Sequence, residues 1–234
     1  MEQLNSMDIN NRELTFRDFL VKTFSTMALG LAITSVICGI FTYAIDAAVI
    51  DYNAIMTPAL IAIFAELGVA LFFGFRLRKM SSTTAWICFI LYSALTGFTL
   101  SIIVSAYTPG SVLEAFVVCT ILFACMAIVG KNTKADLTKF GTYLMIGLVV
   151  IIIVSIINMF IGSSKVDLIL TYFGIVLFLG LTVYDVKKLR NFYDESIDDA
   201  EGNKKLMIYG AFQLYLDFIN LFIRILEILG KRKD

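Results

Sequence analysis

Long apolar stretches separated by short polar breaks dominate this sequence. Seven stretches, each close to the ~20 residues that a helix needs to cross a bilayer, follow one another at 21–45, 56–75, 83–106, 112–130, 140–162, 166–184 and 206–230. Uninterrupted apolar segments such as 148–157 lack the alternation of β-barrel strands. The pattern therefore predicts an all-α integral membrane protein built as a seven-transmembrane-helix bundle.

The composition agrees with a membrane location and narrows the chemistry. The chain is 59% hydrophobic and 16% charged, which is more apolar than a soluble chain can bury. Its net charge is zero, so nothing suggests a nucleic-acid partner. Because histidine is absent, any proton switch must use carboxylates. The four cysteines lie in apolar runs without metal-site spacing and are interpreted as small buried hydrophobes.

The runs define three segments. Residues 1–20 are predicted to form a polar amino-terminal arm, residues 21–230 the transmembrane domain, and residues 231–234 a basic tail. No short apolar region with a cleavage site follows the arm, so the first run is interpreted as an uncleaved anchor. In the third run, small residues recur every fourth position and favour close packing of a neighbouring helix: Ser93, Gly97, Ser101 and Ser105.

Basic residues are distributed unevenly between the two sets of loops. Fourteen lie in the arm and in the loops after runs two, four and six: Arg12, Arg17, Lys22, Arg76, Arg78, Lys79, Lys131, Lys134, Lys139, Lys187, Lys188, Arg190, Lys204 and Lys205. The opposite loops contain only Lys165. Because cytoplasmic loops retain Lys and Arg, the amino terminus is predicted to be cytoplasmic. Seven full spans place the basic tail outside, whereas a re-entrant seventh run would return it to the cytoplasm.

The seventh run carries a polar stripe. On a helix its polar residues fall within about 80° of one another, and the remaining circumference is nearly all apolar: Tyr209, Gln213, Asp217, Asn220, Arg224 and Glu227. Charges facing lipid are costly, so this helix is predicted to lie inside the bundle. The stripe is either a pathway-lining or sensing face, or a structural network in which Asp217, Asn220 and Arg224 satisfy one another.

Two more carboxylates stand out in the spans. Glu66 lies about 15 Å along its helix from Arg76, near the middle of the bilayer, and is a functional candidate on that ground. Asp185 closes the sixth run and is either functional or an interfacial aspartate paired with Lys188. The acidic residues of 194–201 are interpreted as a solvated loop.

Three motifs resemble the Bax inhibitor-1 family, in particular its bacterial members. They are Leu91-Tyr-Ser-Ala-Leu-Thr-Gly-Phe-Thr-Leu-Ser101, Gly180-Leu-Thr-Val-Tyr-Asp-Val-Lys-Lys-Leu189 and Leu214-Tyr-Leu-Asp-Phe-Ile-Asn-Leu-Phe222. The resemblance spans essentially the whole chain. It implies seven helices with the last one central, and a pH-sensitive calcium leak pathway in the bacterial plasma (inner) membrane.

The resemblance also implies site residues. The di-aspartyl sensor of the family corresponds to Asp185 and Asp217, and an arginine at the cytoplasmic end of the second helix, Arg76 or Arg78, corresponds to a partner of the first aspartate. Two carboxylates brought close in a low-dielectric site cannot both ionise cheaply, so the pair shares a proton. Calcium prefers oxygen ligands, and the pair is predicted to bind it weakly, assisted by carbonyls and Asn220. Its ligands would then be calcium ions and protons.

Other function classes remain beside the calcium leak channel. A proton-coupled calcium exchanger and a non-transporting regulator that binds other membrane proteins are both compatible with the sequence. An intramembrane aspartyl protease would require Gly-x-Gly-Asp where the chain has Tyr215-Leu216-Asp217. A retinal protein would require a Schiff-base lysine in the last helix, which offers only Arg224. We therefore expect no enzyme activity and no cofactor.

Overall fold

Seven α-helices make up the fold. The computed structural model describes residues 2–77 and 79–233, with side chains from residue 15 onward apart from 52 and 53. Within these residues the helices are α1 Glu2–Asp46, α2 Tyr52–Arg76, α3 Ser82–Ser105, α4 Pro109–Asn132, α5 Thr138–Ile161, α6 Ser164–Ser196 and α7 Ala200–Leu229, and no strand forms. Each of the seven contains a segment long and apolar enough to cross a membrane. The predicted all-α membrane architecture is confirmed.

Three helix ends lie beyond the apolar runs. Helix α1 begins at Glu2, so the predicted polar arm is helical and continuous with the first span, Thr15–Asp46. Helix α6 continues to Ser196, although its apolar run stops at Tyr184, and α7 begins at Ala200. Lys, Arg and Glu are good helix formers, so these helices continue where apolar sequence is no longer needed. Asp185 therefore lies within a helix and not at its end.

Helix α7 is the most buried of the spans. The buried share of its most apolar segment is 61%, against 17–39% for the other six. Tyr209, Gln213, Asn220 and Arg224, four members of the predicted stripe, are half-buried, while the opposite face is fully buried. This burial matches the prediction that the last helix lies inside the bundle.

The chain folds into two compact units. The first unit comprises the residues up to Ser105 together with Leu189–Tyr215, and the second comprises Ala106–Lys188 together with the residues from Leu216 onward. In the first unit, the small-residue face of α3 packs on α1 as predicted. A Cβ placed at Gly97 would lie 2.7 Å from the Thr34 carbonyl oxygen, and the Thr34 hydroxyl donates to the Ser93 carbonyl at 2.8 Å.

An aromatic cluster fills the interior of the first unit. The ring of Phe212 on α7 contacts those of Phe73, Phe89 and Tyr92, with centroids 4.8 to 6.3 Å apart. Such edge and tilted contacts favour a fixed ring arrangement. Near the start of α7, Glu201 accepts hydrogen bonds from the Ser82 backbone N–H and hydroxyl at 2.6 and 2.9 Å, which places the starts of α3 and α7 side by side.

The second unit packs α4, α5 and most of α6 with the end of α7. The ring of Phe218 on α7 lies 5.6 Å from that of Phe116 and 5.5 Å from that of Phe123 on α4. Between them, the buried Cys119 thiol donates to the Phe218 carbonyl at 3.7 Å. Cys119 and Cys38 are buried as predicted, whereas Cys88 is half-buried and Cys125 is exposed, so the prediction is wrong for Cys125.

The basic tail pairs with the loop that joins α3 to α4. The Thr108 backbone N–H donates to the Lys231 carbonyl at 2.9 Å, and the Lys233 N–H donates to the Ala106 carbonyl at 3.0 Å. Helix α7 is continuous from Ala200 to Leu229 and contains a segment long and apolar enough to cross a membrane, which matches the full-span prediction. The side of the membrane on which the tail lies stays a prediction.

We expect the loops on either side of α5 to face opposite compartments. In a background without native cysteines, Ala135→Cys should resist an impermeant thiol reagent added to intact cells, while Ser164→Cys should react, because the basic loops are predicted to be cytoplasmic. Both positions are exposed, so accessibility in the fold does not confound the comparison. Reaction at Ala135→Cys with protection at Ser164→Cys would invert the topology.

Candidate functional site

Asp185 lies in a segment of α6 that neighbouring helices approach closely. A Cβ on Gly130 of α4 would lie 2.6 Å from the Val183 carbonyl oxygen, and one on Gly141 of α5 would overlap the Tyr184 ring. Only glycine allows such an approach of helix backbones. The carboxyl of Asp185 is consequently enclosed, and the residue is 7% exposed.

Asp217 is the second buried carboxylate of the second unit. It is 4% exposed, and its Oδ2 atom has no hydrogen-bond partner among the described residues. Buried polar atoms are usually hydrogen-bonded, so an unpartnered carboxylate oxygen is an exception that needs an explanation. A proton or a cation at this oxygen would provide one.

The two aspartates predicted to form a pair are brought together. The Asp185 carboxylate is close enough to that of Asp217 for the two negative charges to repel each other. Lys188, one turn after Asp185, attracts the same carboxylate, as the alternative interpretation expected. Helix α6 extends about 16 Å beyond Asp185, and Asp217 lies about 25 Å from the start of α7, so both lie well within their helices. Asp185 therefore does not lie at a helix end, and its position relative to the membrane boundary stays a prediction.

Asn220 and Arg224 of the α7 stripe have partners other than Asp217. Asn220 Nδ2 donates to the Leu216 carbonyl of its own helix at 2.8 Å. Arg224 Nη1 forms an ion pair with Glu227 Oε2 at 3.0 Å. The structural network proposed for Asp217, Asn220 and Arg224 is therefore not the one that forms, and Glu227 is the counter-charge of Arg224.

A second polar group surrounds the end of α7 and was not anticipated as a unit. Thr171 of α6 donates to Glu227 Oε2 at 2.7 Å and contacts the Asp167 carbonyl at 2.8 Å. Asn158 Nδ2 of α5 donates to Asp167 Oδ1 at 2.5 Å. The signal in the sequence was a lone amide, Asn158, inside a long apolar run. These contacts link α5, α6 and α7 on the side where the tail ends.

Three predicted site residues belong to the α2 region. Glu66 lies in the first unit, where its Oε1 accepts a hydrogen bond from Thr99 at 2.8 Å. Arg76 closes α2 with an exposed side chain, and its partnership with Asp185 stays a prediction. Arg78 lies outside the described residues.

The aspartate pair supplies only part of a calcium coordination shell. Where side chains are described, no group of three or more Cys, Asp or Glu residues could hold a metal ion. Calcium takes roughly six to eight oxygen ligands, so backbone carbonyls or water would have to complete the shell around two carboxylates. Such a set is suited to weak binding.

Comparison with known proteins identifies the family. Residues 16–234 match the profile described as "Inhibitor of apoptosis-promoting Bax1". The chain belongs to the Bax inhibitor-1 family. It is 40% identical over 221 residues to an uncharacterised protein of Borreliella burgdorferi, covering 92% of this chain and 93% of the relative. It is also 37% identical over 218 residues to the inner membrane protein YbhL of Escherichia coli, covering 92% of each. The matched range, residues 16–234, contains both Asp185 and Asp217.

The close approach at Gly130 yields a stability prediction for this Bax inhibitor-1 family member. Gly130→Ala should lower the free energy of unfolding by about 1 to 3 kcal/mol, because the new Cβ meets backbone that cannot move aside. Gly39→Ala is the matched control, since nothing lies within 4 Å of its Cβ position. Thermal unfolding in detergent measures both. Equal melting temperatures for the two variants would contradict the packing argument.

Proposed function

We propose that this protein is a pH-sensitive calcium leak channel, gated by protonation of the Asp185–Asp217 pair. The observation that carries the proposal is two buried carboxylates that repel each other, one with an oxygen that has no hydrogen-bond partner in the described part of the chain. The family resemblance of the motifs that contain them supports the same assignment. The E. coli relative is named an inner membrane protein, and we propose the bacterial inner membrane as the location here.

The mechanism follows from the cost of two close negative charges. With a shared proton, the pair carries one charge and its two carboxyls hold together through the bridging O–H. Loss of that proton leaves two repelling carboxylates, which favours separation of α6 and α7 or the entry of a cation. A calcium ion attracted to the deprotonated pair would leave readily, because two carboxylates do not complete its shell.

Neighbouring residues have supporting roles in this proposal. Asn220 lies about one turn beyond Asp217, and its carbonyl oxygen is an additional calcium ligand for the pathway. The Arg224–Glu227 ion pair lies further along the same helix, where it contributes polar side chains to the proposed pathway without a net charge. The family resemblance implies that Arg76 is a partner of Asp185, and Arg76 closes α2. The proposal requires neither an enzyme reaction nor a resident cofactor.

Calcium flux into liposomes that contain only the purified protein tests the proposal. We expect calcium entry that changes with pH between roughly 6 and 8, the range in which a coupled carboxylate pair can exchange its proton. Entry should occur without an imposed proton gradient. If calcium moves only when protons move in the opposite direction, the protein is an exchanger and not a channel. Absence of flux at every pH would favour a regulator that binds other membrane proteins.

Substitution of each aspartate tests the pair itself. Asp185→Asn and Asp217→Asn should each abolish most of the pH dependence of flux, and the double substitution should add little, because either change destroys the same unit. Asp194→Asn, at an exposed aspartate of the same α6 helix, is the control and should keep the parental profile.

Melting temperatures measured beside the fluxes separate gating from anchoring. Because Arg224 pairs with Glu227, Asp217→Asn should cost less than about 1 kcal/mol of stability, against roughly 3 to 5 kcal/mol for loss of a buried counter-charge. Stable variants that retain the pH profile of the parent would refute the paired-aspartate assignment.

A further inference from the structure

Glu66 is a carboxylate in a membrane span that the aspartate mechanism does not use. It belongs to the first unit and lies near the middle of the span Ala54–Arg76. The residue is only half-buried, and its neighbours on the outer side of α2, Ile63 and Leu67, are 51% and 45% exposed. One edge of the carboxyl therefore borders the surface that contacts lipid.

Hydroxyl groups surround the other edge of Glu66. The Thr99 hydroxyl donates to Glu66 Oε1 at 2.8 Å and also lies 3.2 Å from the Thr96 carbonyl. The Thr96 hydroxyl lies beside Glu66 as well, yet this 4% exposed side chain has no hydrogen-bond partner among the described residues. A buried hydroxyl usually has a hydrogen-bond partner, so its absence beside a carboxyl indicates that a hydrogen-bond donor or acceptor is missing here.

The titratable groups that face Glu66 are phenols. Tyr92 of α3 and Tyr215 of α7 both interact electrostatically with it, and both lie beside the Thr96 hydroxyl. From α1, the Thr34 hydroxyl bonds to the Tyr215 hydroxyl at 2.6 Å and does not titrate. Among described side chains, Glu66 forms no ion pair with Lys or Arg. Nothing basic in this set compensates an ionised carboxylate.

A proton satisfies this environment better than a metal ion. Calcium needs roughly six to eight oxygen ligands, and the cluster offers one carboxyl and two threonine hydroxyls on its inner edge. A proton needs only one oxygen. Protonated Glu66 can donate a hydrogen bond, which the Thr96 hydroxyl oxygen can accept. Protonation also removes the charge from the edge that borders hydrocarbon.

We propose that Glu66, Thr96 and Thr99 form a second proton-binding site, separate from the aspartate pair and reached from the lipid-facing surface of α2. Thr99 donates a hydrogen bond to one carboxyl oxygen, and the O–H of the other oxygen donates a hydrogen bond to the Thr96 hydroxyl oxygen. The site binds and releases protons within the membrane, whether or not the protein conducts calcium.

A lipid-soluble carbodiimide tests the site in the full-length protein in liposomes. The acid O–H of a protonated carboxyl adds across one C=N bond of dicyclohexylcarbodiimide to give an O-acylisourea. The acyl group then migrates from oxygen to nitrogen within the same adduct, which gives a stable N-acylurea without a leaving group. Only a protonated carboxyl that the bilayer-dissolved reagent can reach is modified. Mass analysis of the peptide that contains Glu66 measures the product between about pH 5 and 9.

We expect modification at Glu66 that falls about tenfold per pH unit on the alkaline side of the profile. A water-soluble, charged carbodiimide should give at least about tenfold less product. Glu66→Gln should give none at this peptide. Thr99→Val should give several-fold more product on the falling part of the profile, because the carboxylate loses a donated hydrogen bond, and Thr99→Ser should restore the parental profile.

Four results would overturn the proposal. They are absence of product at every pH in folded protein, product that does not depend on pH, equal product with the charged reagent, and suppression of product by sodium or calcium at constant pH. The last result would make Glu66 a cation ligand. Melting temperatures of the variants establish that the protein is folded. No calcium flux enters the measurement, so failure here is distinguishable from failure of the channel proposal.

Discussion

The cost of an ionised carboxylate in a hydrocarbon environment is the constraint on which the interior of this protein depends. Asp185, Asp217 and Glu66 lie within spans, and Lys188 attracts the Asp185 carboxylate. The aspartates are placed where each opposes ionisation of the other, and Glu66 is held by threonine hydroxyls. Under the proposed mechanism, the charge of these three carboxyls depends on proton occupancy, whereas Arg224 has the fixed counter-charge of Glu227.

Close helix packing keeps the aspartate carboxyls in the interior. Gly130 and Gly141 allow α4 and α5 to lie against the backbone and ring that flank Asp185, and Phe116 and Phe123 fix the ring next to Asp217 in sequence. A carboxyl enclosed by rigid neighbours cannot rotate to the bilayer surface to regain water. Long lysine side chains escape in that way, but a short aspartate held mid-helix does not.

The sequence was informative where a single helix decides the outcome. Seven apolar runs, the small-residue face through Gly97 and the buried α7 could all be predicted, because each depends on periodicity within one segment. Pairings between distant segments could not be worked out in the same way. The apolar run ended at Tyr184 and suggested an interfacial Asp185, whereas charged residues extend α6 to Ser196. Helical spacing equally suggested Asp217 for Arg224, and the partner is Glu227, three residues away on the other side.

The pairing of the tail with the α3–α4 loop has a consequence for how the chain enters the membrane. With a cytoplasmic amino terminus, Lys231, Arg232 and Lys233 must cross the bilayer against a membrane potential that opposes positive charge by about 2.3 kcal/mol per charge at 100 mV. Two backbone hydrogen bonds hold the tail once it has arrived. With that orientation, the flanking charges of the last helix oppose its placement, and these hydrogen bonds to the loop between α3 and α4 favour it.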